Sequence, residues 1–296
     1  MTKVALVTGA SSGIGEAIAG KLLSQKYIVY AGARRLERMR RLEALGAHLL
    51  ALDLTDEASM QGAAARIVSE AGRLDALINN AGYGAYGALE DIPVEDARLQ
   101  VEVNLFGLAR LIQLFLPTMR SQRSGRIINI SSIGGKIHEP MGSWYHATKF
   151  AVEGLSDCLR MELAPFGIDV VVIQPGAIKT EWSRIAREGL LATSGSGPYA
   201  EQARMTAGLL AGADQGSGSP PQVVARAVAQ AIDAHRPKTR YVVGGGAKPM
   251  IAMRRLLSDR SFDRLMQSAI RRMASSETGL RQDENSAGDA AAREPA

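Results

Sequence analysis

The sequence contains little cysteine and few aromatic residues, and both shortages limit what the chain can be. Its 296 residues include a single cysteine, Cys158, which excludes an internal disulfide and argues against a thiolate metal cluster. We interpret Cys158 as a small apolar residue that fills space on a helix. Aromatic residues make up 5% of the chain, whereas alanine and glycine are frequent, as is typical of helices packed closely on a sheet.

Long apolar runs, targeting signals and metal-ligand clusters are also missing from the sequence. No run approaches the roughly 20 apolar residues that a membrane span needs. The first residues, MTKVALVTG, have a strand pattern and lack the charged and apolar regions of a signal peptide. Neither His138 nor His146 has neighbours with metal-ligand spacing. We therefore expect a soluble cytoplasmic protein with no membrane span and no metal.

The net charge of +5 is unevenly distributed. Residues 275–296 contain five acidic residues and two arginines, and we expect this tail to be disordered. A basic cluster precedes it: Arg254, Arg255, Arg260, Arg264, Arg271 and Arg272. Such a cluster can attract nucleic acid or anionic lipid, but no aromatic platforms or nucleic-acid module accompany it. We interpret residues 251–274 as a basic amphipathic helix that docks on the protein body or on a second subunit, with a membrane surface as the less favoured alternative and no nucleic-acid partner.

Short apolar runs rich in β-formers alternate with longer helical patterns along the chain. This alternation predicts an α/β fold with a parallel sheet covered on both faces. The predicted strands are Val4–Val7, Tyr27–Ala31, His48–Leu52, Leu74–Ile78, Gly125–Ile130, Ile168–Ile173 and Thr239–Val243. The predicted helices are Gly15–Gln25, Leu36–Leu45, Glu57–Ala71, Val94–Arg120, distorted near Pro117, and Trp144–Leu163. The stretch Leu190–Pro221 has few structural signals, and we interpret it as an insertion or mobile lid.

A glycine-rich segment, Thr8–Gly15, lies between the first predicted strand and its helix. Its sequence is TGASSGIG. Glycine permits a tight turn and lets a phosphate approach the backbone closely. The start of the following helix then offers free N–H groups and the positive end of the helix dipole. A structural glycine turn is the alternative, but this placement after a strand and before a helix favours a dinucleotide site.

The end of the second predicted strand indicates which nucleotide is bound. NAD-binding units usually carry Asp or Glu there, to hold the ribose hydroxyls. This chain has Ala33 followed by Arg34 and Arg35. A guanidinium can bind a 2′-phosphate through two hydrogen bonds, and no carboxylate is present to repel it. The pattern favours NADPH, with a surface arginine pair as the alternative.

A tyrosine and a lysine stand four residues apart on a predicted helix, in the sequence YHATK. This spacing places Tyr145 and Lys149 on one helical face. A free tyrosine has a pKa near 10, and we expect the neighbouring ammonium to lower the Tyr145 pKa. The pair is suited to moving a proton to or from an alcohol oxygen. Because a tyrosine and a lysine often occur four residues apart by chance, the pair indicates catalysis only together with other motifs.

Polar residues follow two other predicted strands, at the edge of the sheet where ligands bind in such folds. Ser131 and Ser132 come after the fifth strand, and the sequence NNAG, residues 79–82, comes after the fourth. Asn104 interrupts an otherwise apolar helix. The alternatives are a satisfied buried amide at Asn104 and a strand-end cap at either serine. Asp157 and Glu162, on the helix of Tyr145, are interpreted as solvated or interface charges.

In order and spacing, these motifs resemble the short-chain dehydrogenase/reductase family. The resemblance covers residues 3–180 closely and 220–270 more loosely. It implies a single Rossmann-like domain, doubly wound, with seven parallel strands in residues 1–250 and a variable substrate lid at 181–221. The segment from Gly176 to Trp182 resembles the hydroxysteroid and retinol dehydrogenase-like members. A homodimer or homotetramer is also implied.

The resemblance also implies roles for individual residues. Tyr145 is expected to be the general acid/base, and Lys149 to bind the nicotinamide ribose. Ser132 is expected to bind the substrate oxygen, and Asn104 to support Lys149 through a water. The residues expected to bind NADP(H) are Gly9, Ser11, Ser12, Gly13, Ile14, Gly15, Arg34, Arg35, Asp53, Leu54, Asn80, Ala81, Gly82, Tyr145, Lys149, Pro175, Gly176, Ile178 and Thr180. Within this set, Asp53 is expected at the adenine and Asn80 near the adenine ribose.

The predicted function is hydride transfer between NADP(H) and a carbonyl or secondary alcohol. The apolar loops at Gly134–Met141 and 181–215 indicate a small, hydrophobic substrate. Two alternatives stay open. One is a nucleotide-binding regulatory protein that has kept the fold, and the other is a related epimerase or dehydratase. Turnover of NADPH separates them.

Overall fold

A seven-stranded sheet forms the centre of the protein, whose computed structural model describes residues 2–212, 216 and 218–272. The strands are β1 (Val4–Thr8), β2 (Ile28–Ala33), β3 (His48–Ala51), β4 (Ala76–Asn79), β5 (Gly125–Ile130), β6 (Ile168–Pro175) and β7 (Arg240–Val243). Their order is β3-β2-β1-β4-β5-β6-β7, and every pairing is parallel. The predicted doubly wound, Rossmann-like single domain is confirmed.

Helices connect the strands and cover both faces of the sheet. They are α1 (Gly13–Ser24), α2 (Arg40–Ala44), α3 (Glu57–Ala71), α4 (Val94–Val101), α5 (Leu108–Gln122), α6 (Ser143–Leu163), α7 (Glu181–Ser194), α8 (Ala200–Gly212), α9 (Gln222–Asp233), α10 (Ala247–Leu256) and α11, described over 259–272. A π-helical stretch, Glu102–Gly107, joins α4 to α5. The predicted helix Leu36–Leu45 begins as a 3-10 turn, Leu36–Met39, before α2.

The alternation of side chains along β1 shows why the sheet is covered twice. Val4 and Leu6 point to the face on which α3, α5 and α6 pack, whereas Ala5 and Val7 point to the face on which α1 and α9 pack. All four are buried. Complete burial of one aliphatic side chain stabilises the fold by about 1.5–3 kcal/mol. In a strand buried on both faces every residue makes such a contribution, whereas in a strand buried on one face only every second residue does.

The longest helical run, Val94–Gln122, differs from the expectation that no segment is apolar enough to span a membrane. By length and composition alone it meets that requirement, with a mean hydropathy of 1.3 over its most apolar window. Its apolar face is nevertheless occupied by the sheet: Leu111 and Phe115 are fully buried. The run is therefore a core helix of the α/β fold.

The stretch Leu190–Pro221 contains more regular structure than its sequence indicates. The end of α7 and all of α8 lie within it, and residues 213–215 and 217 fall outside the described part of the chain. Leu190 and Ala203 are fully buried in an apolar cluster shared by the two helices. The helical signal was missed because alanine, glycine and serine pack at close helix contacts without producing a strong apolar stripe.

The segment after β7 docks on the protein body, one of the expected alternatives. It forms two helices, α10 and α11, that are separated at residues 257–258, where a single helix over 251–274 was expected. Phe262 and Met266 on α11 are buried against Ile137. Leu256, by contrast, is 85% exposed. The tail at 275–296, expected to be disordered, lies outside the described residues.

The interpretation of Cys158 as an interior filler is wrong. This residue is exposed on α6. The buried face of α6 is instead formed by residues such as Val152 and Ser156. Two residues further along, Cys158 has turned away from the sheet, so its thiol takes no part in the core.

The strand order reverses between β1 and β4, and this reversal opens a crevice at their carboxyl ends. From β1 the chain proceeds outward through β2 and β3, and then returns to place β4 on the other side of β1. Adjacent connections therefore leave on opposite faces of the sheet, and their ends separate. The glycine-rich turn, the 79–82 sequence and the serines after β5 all lie along this edge.

Candidate active site

The turn after β1 has a backbone that side chains would obstruct. Gly9 and Gly13 have φ angles of 66° and 56°, which favour glycine. A Cβ on Gly15 would lie 2.2 Å from the carbonyl oxygen of Gly9. The side chain of Ser12, the N-cap of α1, makes no capping hydrogen bond. The helix therefore presents its first N–H groups to the crevice, an arrangement that fits a pyrophosphate.

Thr8 and Asn80 hold this turn in place. The Thr8 hydroxyl accepts hydrogen bonds from the N–H groups of Asn80 and Ala81, each at 3.0 Å. The Asn80 amide donates to the carbonyl oxygen of Thr8 at 2.9 Å. The side chain of Asn80 thus positions the glycine-rich turn, and its expected contact near the adenine ribose stays a prediction. Ala81 and Gly82 continue the lining along the end of β4.

The arginines after β2 lie at the outer end of the crevice. Both Arg34 and Arg35 are exposed, and the Arg35 guanidinium donates to the Ser11 hydroxyl at 3.4 Å. Burial raises the pKa of Tyr83, and the positive charge of Arg34 partly offsets that effect. Arg34 is therefore close enough to the crevice to act on a group beyond β4. Among the described residues, neither arginine forms an ion pair with a carboxylate.

Asp53 and Leu54 follow the end of β3, the strand that pairs with β2. The Asp53 carboxylate accepts hydrogen bonds from the N–H and hydroxyl groups of Thr55 at 3.0 and 2.8 Å. Leu54 is buried, and a Cβ on Gly107 would lie 2.5 Å from its carbonyl oxygen. The β3 end is consequently fixed against the long α4–α5 helical run, and the role of Asp53 at an adenine stays a prediction.

The segment from Pro175 to Thr180 forms the opposite wall of the crevice. Thr180 caps α7 by accepting a hydrogen bond from the Trp182 N–H at 3.3 Å. A Cβ on Gly13 would lie 3.1 Å from the Thr180 methyl carbon, so this wall meets the glycine-rich turn. An ion pair between Arg38 and Glu181, 2.9 Å apart, also joins the two sides. That pair has no signal in the sequence, since its partners lie far apart along the chain.

Ser132, Tyr145 and Lys149 converge at the centre of the crevice, as predicted. Tyr145 and Lys149 are each 8% exposed. The Ser132 hydroxyl accepts a hydrogen bond from the Gly134 N–H at 3.0 Å and is also hydrogen-bonded to Tyr145. Lys149 Nζ donates to the carbonyl oxygen of Ile130 at 3.0 Å and lies 5.9 Å from the centre of the Tyr145 ring. Ser132 thus caps a turn and contacts the tyrosine at once.

Burial moves the pKa values of these two groups in opposite directions. It raises the pKa of Tyr145 to about 12; the hydrogen bond with Ser132 lowers this value and the Glu139 charge raises it. Burial lowers the pKa of Lys149 to about 8, and the negative charge of Glu153 opposes this change. The expectation that Lys149 lowers the Tyr145 pKa is therefore wrong for the protein alone. Loss of water around the phenol raises the Tyr145 pKa by more than the nearby ammonium can lower it.

Glu153, one turn beyond Lys149, anchors α6 to the strands beneath it. Its buried carboxylate pairs with Lys136 at 3.2 Å and Arg240 at 2.9 Å, and accepts from Gln174 at 2.8 Å. Glu153 was not among the predicted site residues, although its spacing of four from Lys149 was a usable signal. Arg240 also donates to Asp157 at 2.7 Å.

Asp157 and Glu162 were both expected to be solvated or interface charges. The Asp157 side chain is 39% exposed, and hydrogen bonds from Arg240 and Arg160 also hold its carboxylate and lower its pKa. The distant Arg240 arrives on β7, which the local pattern could not reveal. Glu162 is exposed, as expected.

Asn104 lies in the π-helical stretch and clamps the loop after β4. Its amide oxygen accepts from the Tyr83 N–H at 3.1 Å, and its amide nitrogen donates to the Tyr83 carbonyl at 2.9 Å and to Thr148 at 3.2 Å. Short π-helical stretches inside α-helices often occur at functional sites. These bonds satisfy the buried amide. A Cβ on Gly82 would lie 2.9 Å from the Asn104 oxygen and 3.9 Å from Lys149 Nζ, so the three groups adjoin, while a water relay stays a prediction.

Aromatic rings line the crevice beyond Tyr145. The ring centre of Tyr86 lies 5.6 Å from that of Tyr145 and 5.9 Å from that of Trp182, and the Tyr145 and Trp182 centres are 5.1 Å apart. Ala186 and Leu190 on α7 continue the apolar surface. The expected lid segment thus supplies Trp182, whereas Tyr86 had no sequence signal of its own.

The two histidines near the site have structural partners. His146 hydrogen-bonds the Gly134 carbonyl through Nδ1 at 2.9 Å, and His138 hydrogen-bonds Asp263 at 2.8 Å. No group of three metal-ligating side chains occurs in the described ranges.

The family comparison agrees with this geometry. The family model described as short chain dehydrogenase matches residues 3–190, a span that includes the glycine-rich turn, Asn104, Ser132, Tyr145 and Lys149. Among curated proteins, the chain is 44% identical over 179 residues to a 3-ketodihydrosphingosine reductase of Bacteroides thetaiotaomicron, which covers 60% of this chain and 65% of that protein. It is 34% identical to an NADPH-dependent 3-dehydrocapnine reductase of Ornithobacterium rhinotracheale, over 92% and 98% of the two chains.

Solved structures show the same architecture. A short-chain dehydrogenase from Streptomyces avermitilis superimposes with a TM-score of 0.74 at 32% identity, over 96% of this chain and 98% of that one. A short chain dehydrogenase/reductase from Burkholderia phymatum, in complex with NAD, has a TM-score of 0.74 at 26% identity, over 86% and 92%. The chain belongs to the short-chain dehydrogenase/reductase family of oxidoreductases.

Proposed function

We propose that this protein transfers a hydride between NADP(H) and a carbonyl or secondary alcohol, with Tyr145 as the general acid/base. The convergence of Ser132, Tyr145 and Lys149 beside an open, glycine-lined helix start carries the proposal. The same crevice then contains a binding surface for a dinucleotide and, beside it, a buried proton donor. The nicotinamide supplies the hydride in reduction and accepts it in oxidation.

The residues around the crevice can be assigned to parts of the nucleotide. The N–H groups at the start of α1 face the pyrophosphate, and Arg34 and Arg35 bind the 2′-phosphate. A carboxylate after β2 would favour NADH, but that position is Ala33. The NADPH-dependent relative supports this assignment, whereas the structural neighbour with NAD shows that the fold alone does not decide it. The remaining lining comes from Asp53, Leu54, Ala81 and Gly82, and from residues 175–180.

Tyr145 performs the proton transfer. Because its pKa is raised to about 12, the phenol keeps its proton at neutral pH and is ready to donate it to a carbonyl oxygen. Ser132 holds that oxygen beside the phenol, and the Lys149 ammonium binds the nicotinamide ribose. These groups are fixed before the substrate arrives, which avoids reorganisation during the reaction.

The pocket favours an apolar substrate. Tyr86 and Trp182 form its walls next to Tyr145, and α7 and α8 supply aliphatic side chains. The two curated relatives carry the names of reductases, one of them acting on a 3-keto compound. We infer that reduction of a hydrophobic ketone is the physiological direction.

A second copy of the chain and a cytoplasmic location complete the proposal. Leu99, Phe106 and Phe150 are 46%, 57% and 46% exposed on neighbouring helices. Large apolar side chains grouped on one surface support association. We infer a homodimer or homotetramer that uses this surface.

The decisive experiment compares Tyr145→Phe with Tyr27→Phe, a control tyrosine that precedes β2 and donates to Asp233 outside the crevice. The first variant loses the proton donor, so turnover with a panel of ketones and aldehydes should fall by about 10²–10⁴, while NADPH binding by calorimetry stays unchanged. The control retains turnover. Full activity of Tyr145→Phe would overturn the assignment. NADPH binding without turnover in the wild type would favour a regulatory role, and conversion without net NADPH consumption an epimerase or dehydratase.

A further inference from the structure

Glu139 is an acidic residue in the substrate part of the crevice with no assigned role. It lies on the loop between β5 and α6, and its side chain is 15% exposed. One carboxylate oxygen accepts a hydrogen bond from the Tyr86 hydroxyl at 2.9 Å. Tyr86 itself packs against Tyr145 and Trp182. A charge has therefore been placed in the most apolar part of the site, where it is costly unless something compensates it.

The described part of the chain supplies no lysine or arginine to pair with this carboxylate. The nearest basic group is His146, whose Nε2 lies 3.9 Å from it. That nitrogen accepts a hydrogen bond from the Glu139 N–H at 3.3 Å, and Nδ1 faces the Gly134 carbonyl at 2.9 Å. Both ring nitrogens therefore face backbone groups, and no hydrogen bond joins His146 to the Glu139 carboxylate in the described part of the chain.

We propose that Glu139 binds a positively charged amino group of the substrate, close to the carbonyl that reacts at Tyr145. The preferred substrate class is then an amino ketone with an apolar remainder. An ammonium pairs with a carboxylate through charge-assisted hydrogen bonds and is also attracted to the faces of aromatic rings such as Tyr86 and Trp182. This inference rests on the proposed ketone reduction and extends it to the choice of substrate.

The pairing of Glu139 with a substrate ammonium also couples substrate binding to proton transfer by Tyr145. The Glu139 charge is one cause of the raised pKa of Tyr145. An ammonium beside Glu139 neutralises that charge, so the phenol becomes a stronger acid when the correct substrate is bound. A ketone without the amino group leaves the charge uncompensated and meets a weaker proton donor.

Turnover can be measured with two ketones that differ only in charge. The probes are 1-amino-2-octanone hydrochloride and 3-nonanone, in which a methyl group replaces the ammonium. The variants are Glu139→Gln, which retains an acceptor for Tyr86, and Glu188→Gln, which removes an equal charge from the exposed outer side of α7. We expect Glu139→Gln to lower kcat/KM for the amino ketone by about tenfold or more and to leave 3-nonanone unchanged or improved. Glu188→Gln should change neither.

A binding measurement separates this inference from the proposed function. Calorimetry with NADP⁺ present compares n-octylammonium chloride with 1-octanol, in wild type and in Glu139→Gln. Tighter binding of the ammonium that disappears in Glu139→Gln supports the inference, even if neither ketone is reduced. Equal losses for both ketones, or no preference for the ammonium in wild type, would overturn it while leaving ketone reduction intact.

Discussion

The nucleotide side and the substrate side of the crevice are built in different ways. Around Gly9, Gly13 and Gly15 the surface is mainly backbone, shaped by positive φ angles and by contacts too close for a Cβ. Beyond Tyr145 the surface is made of side chains, including Tyr86 and Trp182, from segments far apart in sequence. A backbone surface recognises what all nucleotides share. A side-chain surface determines which substrate is accepted.

The two sides also differ in how they treat charge. The nucleotide side leaves helix N–H groups and the exposed Arg34 and Arg35 facing the crevice, a positive environment suited to phosphates. The substrate side buries phenols and aliphatic groups around one acidic residue, Glu139. Lys149 lies between the two sides, and its pKa reflects both burial and a nearby carboxylate. Substitutions on the nucleotide side should therefore change nucleotide binding, whereas substitutions on the substrate side should change the choice of substrate.

The largest effect on nucleotide binding is expected from Gly15→Ala. The added Cβ would lie 2.2 Å from the Gly9 carbonyl oxygen, so the turn and the start of α1 must separate. We expect NADPH affinity by calorimetry to fall at least about hundredfold and the free energy of unfolding to drop by about 1–3 kcal/mol. Gly20→Ala on the same helix is the matched control, because its Cβ meets no atom within 4 Å. It should bind NADPH normally and unfold at a slightly higher denaturant concentration. Normal binding by Gly15→Ala would show that the turn adapts.

This difference between the sides also explains what could be predicted from the sequence. The sheet, most helices and the positions of Ser132, Tyr145 and Lys149 follow from local apolar periods and short motifs. No helix was predicted over α7, α8 or α9. In α8 the alanines and glycines pack closely without a clear apolar stripe. The role of Glu153 depends on Arg240, which arrives from another strand. The sign of the Tyr145 pKa shift depends on burial, which a spacing of four residues does not reveal.

The next effect concerns the phosphate-binding end of the nucleotide side. Arg34→Ala removes a guanidinium that we assign to the 2′-phosphate, at an exposed position where folding should not suffer. A charge-assisted pair of about 1.5–3 kcal/mol corresponds to a rise in the KM for NADPH of about tenfold to hundredfold. The KM for NADH should hardly change, so the ratio of the two is the measurement. Arg41→Ala, on an arginine 83% exposed, is the control and should leave both values alone. Equal changes in the KM for NADPH and for NADH would show that Arg34 does not bind the 2′-phosphate.

The smallest effect tests Lys149, the residue shared by the two sides. Because burial lowers the pKa of Lys149 to about 8, the ammonium is present below that pH and lost above it. The pKa of Tyr145, about 12, lies higher, so the phenol keeps its proton throughout this range. Reductive kcat/KM should therefore be flat near neutrality and fall by about tenfold per pH unit above about 8. Lys149→Arg stays charged and should abolish that fall, even if its plateau is lower. A decline that persists unchanged in Lys149→Arg would assign the titration to another group, and the separation of roles between Lys149 and Tyr145 would then have to be abandoned.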